Sequence, residues 1–462
     1  MANTSVNLLR NLLTYAGRAA LVEQAYFSPS ATVNSGSTFP FAKTFAFLSK
    51  VDPWANNSSP PIPTQDQKYI KSVFKNMFAL KVVNSNDVSP VIERFDWKTG
   101  TIYDYYRDDV NMFEVNDDGL LIKHFYINNR HDQVFKCLWN AKGIPSVDEP
   151  IFTPGAFFSN DIFIGPVDGY KWKYMYTVDI GSKLKFMDSY FMPVPLIAVN
   201  ENPILRAAGA GSIEVINVTN SGIEYDTQNA AINIVITGDG SGAAGSAITS
   251  NGAIIDVLMT EIGTNYTYAN VSFTSELGVN GAMEIFTSPV GGHGFDPLSE
   301  LGCSRIMYTT EFDTSEGGII PTDIQFYQYG LIINPISSIS SPQPANGSVY
   351  RTTTDLIVSS GFGAYVTDEI VYEGNDLATS SFSGTVLSFD SGNNILKLIN
   401  TIGTPTNSTS IFASTSGTAR TLFSYTLPDL NIFTGYISYI ENRPSIQRSS
   451  DGIEQIRIVL DY

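Results

Sequence analysis

YKWKYMYTV, residues Tyr170 to Val178, is dense in the aromatic and β-branched residues that pack best on a pleated surface, and it reads as a strand. EQIRIVLDY, Glu454 to Tyr462, has the same character. Most of the remaining chain consists of similar short runs separated by Gly, Pro, Asn, Asp and Ser, so the expected fold is mainly β. Two segments depart from this pattern. Val6, Leu9, Leu12, Leu13, Ala16 and Ala20 recur at helical spacing, with Asn3, Thr4 or Ser5 as cap. Thr64 and Gln67 match a capping box, followed by an apolar stripe of Tyr69, Ile70, Val73, Phe74, Met77 and Phe78 that predicts a second helix.

The 462 residues exceed what one core usually organises, so two or three folded units are expected. Lys plus Arg number 27 and Asp plus Glu 45, a formal charge of 27 − 45 = −18. That sign opposes binding to a phosphate backbone or an anionic bilayer, and nucleic acid and membrane are not expected partners. Charged residues make up 16% of the chain, against about a quarter in ordinary soluble domains, which leans towards a component buried against other subunits. The two cysteines, Cys137 and Cys303, form no CxxC or Cys/His cluster and fit synthesis in a reducing compartment. The first residues carry no basic stretch followed by an apolar one, and no run approaches the ~18 apolar residues of a membrane-spanning helix. Assembly in the cytoplasm is the expectation.

Composition changes near Asn200. GSIEVINVTNSGIEY, Gly211 to Tyr225, recurs as GAIIDVLMTEIGTNY, Gly252 to Tyr266, with Gly211, Ile213, Gly222 and Tyr225 falling on Gly252, Ile254, Gly263 and Tyr266. INIVITGDGSGA from Ile232 is echoed by VSFTSELGVNGA from Val271. The pair reads as two tandem β units packed face to face, because a solenoid usually needs about three repeats. Ser, Thr and Gly dominate from about Ser341 to Ser424, where FSGTVLSFDSGNNILKLIN reads as a hairpin turning at Asp390 to Asn394 and the whole as a small β domain or barrel. The expected organisation is a discontinuous body of residues 1–200, 293–340 and 425–462, with modules 201–292 and 341–424 inserted at exposed loops.

Asp104, Asp108 and Asp109, or Asp117 and Asp118, could imitate a glycosidase couple, yet a raised carboxyl pKa in a cleft is required, and solvated loops are the favoured reading. His124, His131 and His293 form no HxH or HExxH pattern, and Lys123 to Ile127 reads as a strand. No GxSxG elbow or GxxxxGK[ST] loop occurs. Gly238-Asp239-Gly240-Ser241-Gly242 lacks the repeated acidic ligands of a calcium loop and reads as a turn. Tyr103, Tyr105 and Tyr106 suit a subunit contact. Catalytic residues, metal ligands and cofactors are therefore expected to be none, and the chain is not expected to be an enzyme.

Six short motifs go further. They are Pro53-Trp54 with the turn Pro60 to Pro63; Asp96-Trp97; Phe135 to Leu138; Asp168 to Tyr174; Asn334-Pro335; and Tyr439 to Pro444. In this order they resemble the baseplate wedge subunit encoded by gene eight in T-even-type contractile-tailed phages, over roughly the discontinuous body. The resemblance implies a β-sandwich body with helix-bearing loops, to which the composition and repeats add two inserted small β domains, and a homodimer joining other wedge proteins in the virion tail baseplate. It assigns Trp54, Trp97 and Trp172 to anchoring and Arg443 to a buried junction. The two modules have no counterpart in the family, and their expected role is contact with neighbouring wedge, peripheral baseplate or tail fibre proteins. The alternative is a tail accessory protein that binds or depolymerises host surface glycan.

Overall fold

The computed structural model describes residues 43–50, 52–153, 162–195, 211–225, 231–273, 278–338 and 343–461. Strands hold 48% of the chain and helices 6%, so the protein is mainly β. The helix expected from Val6 to Ala20 lies outside the described residues. The chain divides into two compact units, one spanning Ser89–Met307 and the other joining the residues up to Val88 with those from Tyr308 onwards. Module 201–292 falls within the first and module 341–424 within the second.

In the first unit, Tyr126–Asn128, Gln133–Trp139, Lys171–Thr177 and Ile162–Ile164 form a four-stranded antiparallel sheet. Because strand side chains alternate between faces, Lys171 to Met175 divide between the two sides of the sheet, while Tyr176, beyond a register shift opposite Val134 and Phe135, joins the cluster of Met175. Trp172 and Tyr174 join Phe135, Cys137, Tyr103 and Tyr170 in an aromatic core on one side, while Lys171, Lys173 and Met175 point to the other. There Met175 packs with Val134, Tyr126 and Phe125, leaving the lysines beside this apolar cluster.

The tandem repeat is built by exchange. Ile216–Ile223, the first strand of unit one of the repeat, pairs with Val279–Ile285, the third strand of the other. Reciprocally, Ala253–Thr264 pairs with Ser241–Ser250, and the two middle strands, Ala231–Gly238 and Ala269–Phe273, pair with each other. The matched residues bond across the copies: Tyr225 N donates to Gly252 O and Tyr266 N to Gly211 O, both at 3.0 Å. Ile213 and Ile254 are both fully buried in the shared core. Tyr225 lies over Gly278 and Gly281 and Tyr266 over Gly238 and Gly240; a Cβ would sit within 2.4 Å of the facing ring or hydroxyl at Gly278, Gly281 and Gly240, and 3.0 Å from the Tyr266 ring at Gly238. Glycine is therefore required at these contacts so that each tyrosine can seat on the opposite copy.

In the second unit, a five-stranded antiparallel sheet runs in the order Val349–Tyr350, Met77–Val82, Thr44–Ser49, Ile324–Ile333, Tyr436–Arg448. Its central strand, Thr44–Ser49, is buried along its whole length. The helix Gln67–Asn76 packs Val73 against Phe45, Phe47 and Met77. Two details differ from the sequence expectation. Asp66, not Thr64, caps the helix: Tyr69 N donates to its Oδ1 at 2.8 Å, and Thr64 Oγ1 donates to the same carboxylate. An ionised oxygen directly before the first helical residue is a stronger acceptor than a hydroxyl two positions earlier. Met77 and Phe78 also leave the helical stripe, because the backbone turns extended at Met77 and pairs with Thr44–Ser49. Sheet pairing outcompetes helix continuation there. A closed six-stranded barrel occupies Thr354 to Thr426 around Leu356, Val371, Val386, Leu398, Ile411 and Leu422. Its hairpin turns at Asp390, whose Oδ1 accepts from Gly392 N and Asn393 N.

Candidate functional site

A strand with lysines at alternate positions in a buried sheet demands counter-charges, since an isolated buried ammonium is costly. Lys136 and Lys173 are register partners in the first unit's sheet, with Lys171 on the same face. Each meets a carboxylate: Lys136 Nζ lies 3.1 Å from Glu300 Oε2, Lys173 Nζ 2.8 Å from Glu214 Oε2, and Lys171 Nζ 2.7 Å from Asp256 Oδ1. Three cations thus face three anions. Without them, Lys136 and Lys173, directly opposite across the ladder, would repel. Glu214 comes from the segment leading into the repeat, Asp256 from the strand Ala253–Thr264, and Glu300 from the end of the short helix Pro297–Glu300.

The centre of this array is dry. The Lys136 side chain is 0% exposed, those of Glu300 and His293 are 2% and 5%, and the Tyr106 ring centroid lies 4.0 Å beneath the ammonium. Glu300 Oε1 also accepts from Gly294 N at 2.7 Å, and Glu214 Oε1 from His293 N at 3.2 Å. Burial works against the Glu300 charge, but the Lys136 ammonium beside it outweighs this and holds the carboxyl down to about 2. Burial, then the adjacent Lys136 charge, pushes His293 below its ordinary value, so the ring is neutral and its Nδ1 accepts from Lys136 at 3.2 Å. Burial also lowers Lys136, with Glu300 opposing it. Chemically the array is an internal clasp that fixes the loop 286–300 and the repeat segment onto the sheet.

The clasp makes a pH prediction. Glu300 has its folded pKa depressed, so its contribution is complete above the ordinary carboxyl value of 4.5 and is lost as pH falls towards about 2. The loss amounts to about 3 kcal/mol. Melting temperature followed from pH 6 to 2.5 drops more steeply for the native chain than for Glu300→Gln; parallel curves would remove Glu300 from the acid response.

The residues singled out in the sequence disperse. Asp104 Oδ2 accepts from His124 N, Asp108 Oδ2 from Thr287 N and Oγ1, and Asp109 is forked by Arg107 at 2.9 and 2.8 Å, which holds its carboxyl down. Asp117 and Asp118 are exposed in a turn. His124 stacks on Phe95 at 4.1 Å, His131 is exposed, and only His293 enters a charged cluster. Phe125 precedes the strand expected from Lys123, which begins at Tyr126. Asp239 serves its turn, accepting from Thr267 N at 2.9 Å and Oγ1 at 2.5 Å, contacts that lower its carboxyl to about 2. Cys137 and Cys303 are free thiols in separate apolar clusters. Of Tyr103, Tyr105 and Tyr106, Tyr103 is buried, whereas Tyr105, edge-on to Trp139, and Tyr106, under Lys136, are half-buried. Among the described residues no group of three or more His, Cys, Asp or Glu is placed to hold a metal ion.

The lysines and carboxylates of the clasp were not singled out from sequence. Their signal was the Lys-x-Lys spacing inside an aromatic strand, which puts both cations on one face. The carboxylate partners, 41 to 164 residues away, carry no such mark.

Five of the six motifs, by contrast, gather into two sites, and Asn334-Pro335 stands apart. In the first unit, Trp97 Nε1 donates to Ser146 Oγ at 3.1 Å, and Ser146 Oγ donates to Asp168 Oδ2 at 3.1 Å. Asp168 also accepts from Val147, Asp148 and Tyr170 backbone amides, and Trp97, Phe135, Cys137, Tyr170 and Trp172 share one cluster. In the second unit, Trp54 Nε1 donates to Arg443 O at 2.8 Å, Asn442 Nδ2 to Pro61 O at 2.8 Å, and Ser445 N to Asn57 Oδ1 at 2.8 Å. Arg443 pairs with Glu441, which also accepts from the Tyr329 and Tyr439 hydroxyls. Asn334 closes a reciprocal pair with Lys43, its Oδ1 accepting from Lys43 N at 2.6 Å. No family model matches this sequence, and no curated protein is similar to it.

Proposed function

We propose that the chain is a structural subunit of a contractile phage tail baseplate wedge, a homodimer that joins other wedge proteins and holds them while the baseplate assembles and rearranges. Support comes from the convergence of motifs remote in sequence: those at residues 53–63 and 439–444 bond to each other, and those at 96–97, 135–138 and 168–174 build one aromatic core. Trp54, Asp168 and Asn442 each bond to backbone, as a mechanical connector requires. In this reading the chain acts through interfaces rather than through a reacting group, in the virion tail, after assembly in the host cytoplasm. An obligate dimer contact buries on the order of 2,000 Å² or more.

Two measurements test the reading. Light scattering after size exclusion gives a dimer at micromolar concentration; a monomer there contradicts the dimer. Imaged particles bearing an antibody-accessible tag on this chain show density at the tail end. A chain absent from the tail, or sugar turnover abolished by one carboxylate substitution, would transfer the protein to the glycan-directed class.

A further inference from the structure

In a chain with an excess of 18 negative charges, cations without a partner stand out. The helix Gln67–Asn76 places Lys68, Lys71 and Lys75 at helical spacing on one side, and all three line a basin of about 540 Å³ in the second unit. Lys50, from the end of the strand Thr44–Ser49, lines it as the fourth ammonium. Thr385, Ile399 and Asn400 of the barrel and the Phe433 ring complete the wall. Lys50 is the paired cation, 2.8 Å from Asp368. Among the described residues Lys68, Lys71 and Lys75 make no ion pair, although Asp52 and Asp368 share the basin. Four ammonium groups thus face two carboxylates.

The lining also carries an apolar element. Phe433 is 49% exposed, sits at φ +67°, a conformation that bulky residues rarely adopt, and rests edge-on against Phe74 at 5.9 Å. Three lysines 5–6 Å apart along a helix, with a ring beside them, match a polypeptide that presents several carboxylates around an apolar side chain. A compact inorganic anion uses the charges but not the ring, and no arginine fork is present for bidentate phosphate recognition. The Lys50–Asp368 pair shows that a carboxylate seats in this basin. Residues 1–42 contain a single carboxylate, Glu23, with Arg10 and Arg18, so that segment lacks the complementary charge.

We propose that this basin is the docking site for an acidic segment of a partner polypeptide, with Lys68, Lys71 and Lys75 as its anchoring charges and Phe433 as its apolar contact. The inference stands on these lysines and holds apart from the assignment to a tail.

The test titrates the full chain with a fluorescein-labelled peptide of sequence Glu-Glu-Leu-Glu-Glu-Leu-Glu-Glu at low and at 0.3 M salt. Lys68→Gln/Lys71→Gln/Lys75→Gln is compared with Lys98→Gln/Lys142→Gln as a surface control, with melting temperatures verifying that each folds. Binding that weakens about tenfold in the triple variant, is unchanged in the control and weakens with salt supports the site. Phe433→Ser weakens the same peptide with the lysines intact. Absence of binding overturns the proposal, as does equal binding by the triple variant. Tripolyphosphate binding as tightly as the peptide, with the same lysine dependence and no effect of Phe433→Ser, replaces the peptide site by a simple anion site and also overturns it.

Discussion

Lys136→Met lowers the unfolding free energy of the chain by about 3–5 kcal/mol, the cost of leaving one member of a buried ion pair behind. The methionine fills the volume, so the effect is electrostatic. Glu300, with a side chain 2% exposed, loses the ammonium 3.1 Å away and keeps the Gly294 and Asp296 amides and the His293 ring 3.5 Å away, without a full counter-charge. Tyr106 loses the charge over its ring as well. Urea denaturation reads the change at neutral pH. The double variant Lys136→Met/Glu300→Gln recovers more than half of the loss, because the glutamine oxygen still accepts from Gly294 N and no buried charge remains. A single-variant cost below about 1 kcal/mol, or a double variant that is merely additive, would show that the two groups are not coupled.

Trp172→Ala costs about 3–5 kcal/mol, the range for emptying a large aromatic site in a packed core. Trp172 is fully buried, stacked on Tyr170 at 5.6 Å and edge-on to Tyr103 at 5.4 Å, at the centre of the cluster joining three of the sequence motifs. Among the described residues its indole Nε1 has no hydrogen-bond partner, so the side chain acts through its rings. Trp172→Phe accordingly retains most of the stability that Trp172→Ala loses, since the smaller ring still packs and an unpaired buried donor disappears. Parallel denaturation of the two variants separates these cases; equal losses would assign the effect to the indole N–H rather than to packing.

Local signals carried much of the architecture. The aromatic run Tyr170 to Val178 became a central strand, and the matched Gly, Ile and Tyr positions of the repeat took equivalent places in the two copies. What the repeat pattern did not reveal was the exchange of strands between copies: a period states that two segments are alike, not which segment each one pairs with. The helix beginning at Gln67 was legible, whereas its cap and its end were not, because an adjacent carboxylate and a waiting sheet edge settle those boundaries.

The candidate sites divide along the same line. Alternation along a strand is written in the sequence, so the placing of Lys171 and Lys173 on one face follows from their spacing alone. That Glu214, Asp256 and Glu300 would arrive opposite the lysine face, and that Lys68, Lys71 and Lys75 would be left without carboxylates, follows only from the folded chain. Charge pairing acts over a few ångströms in space, and a sequence records separation along the backbone instead. By itself the sequence determined a mainly β protein with an internal repeat and a strongly acidic balance. Tertiary structure decided which charges neutralise one another inside and which stay at the surface.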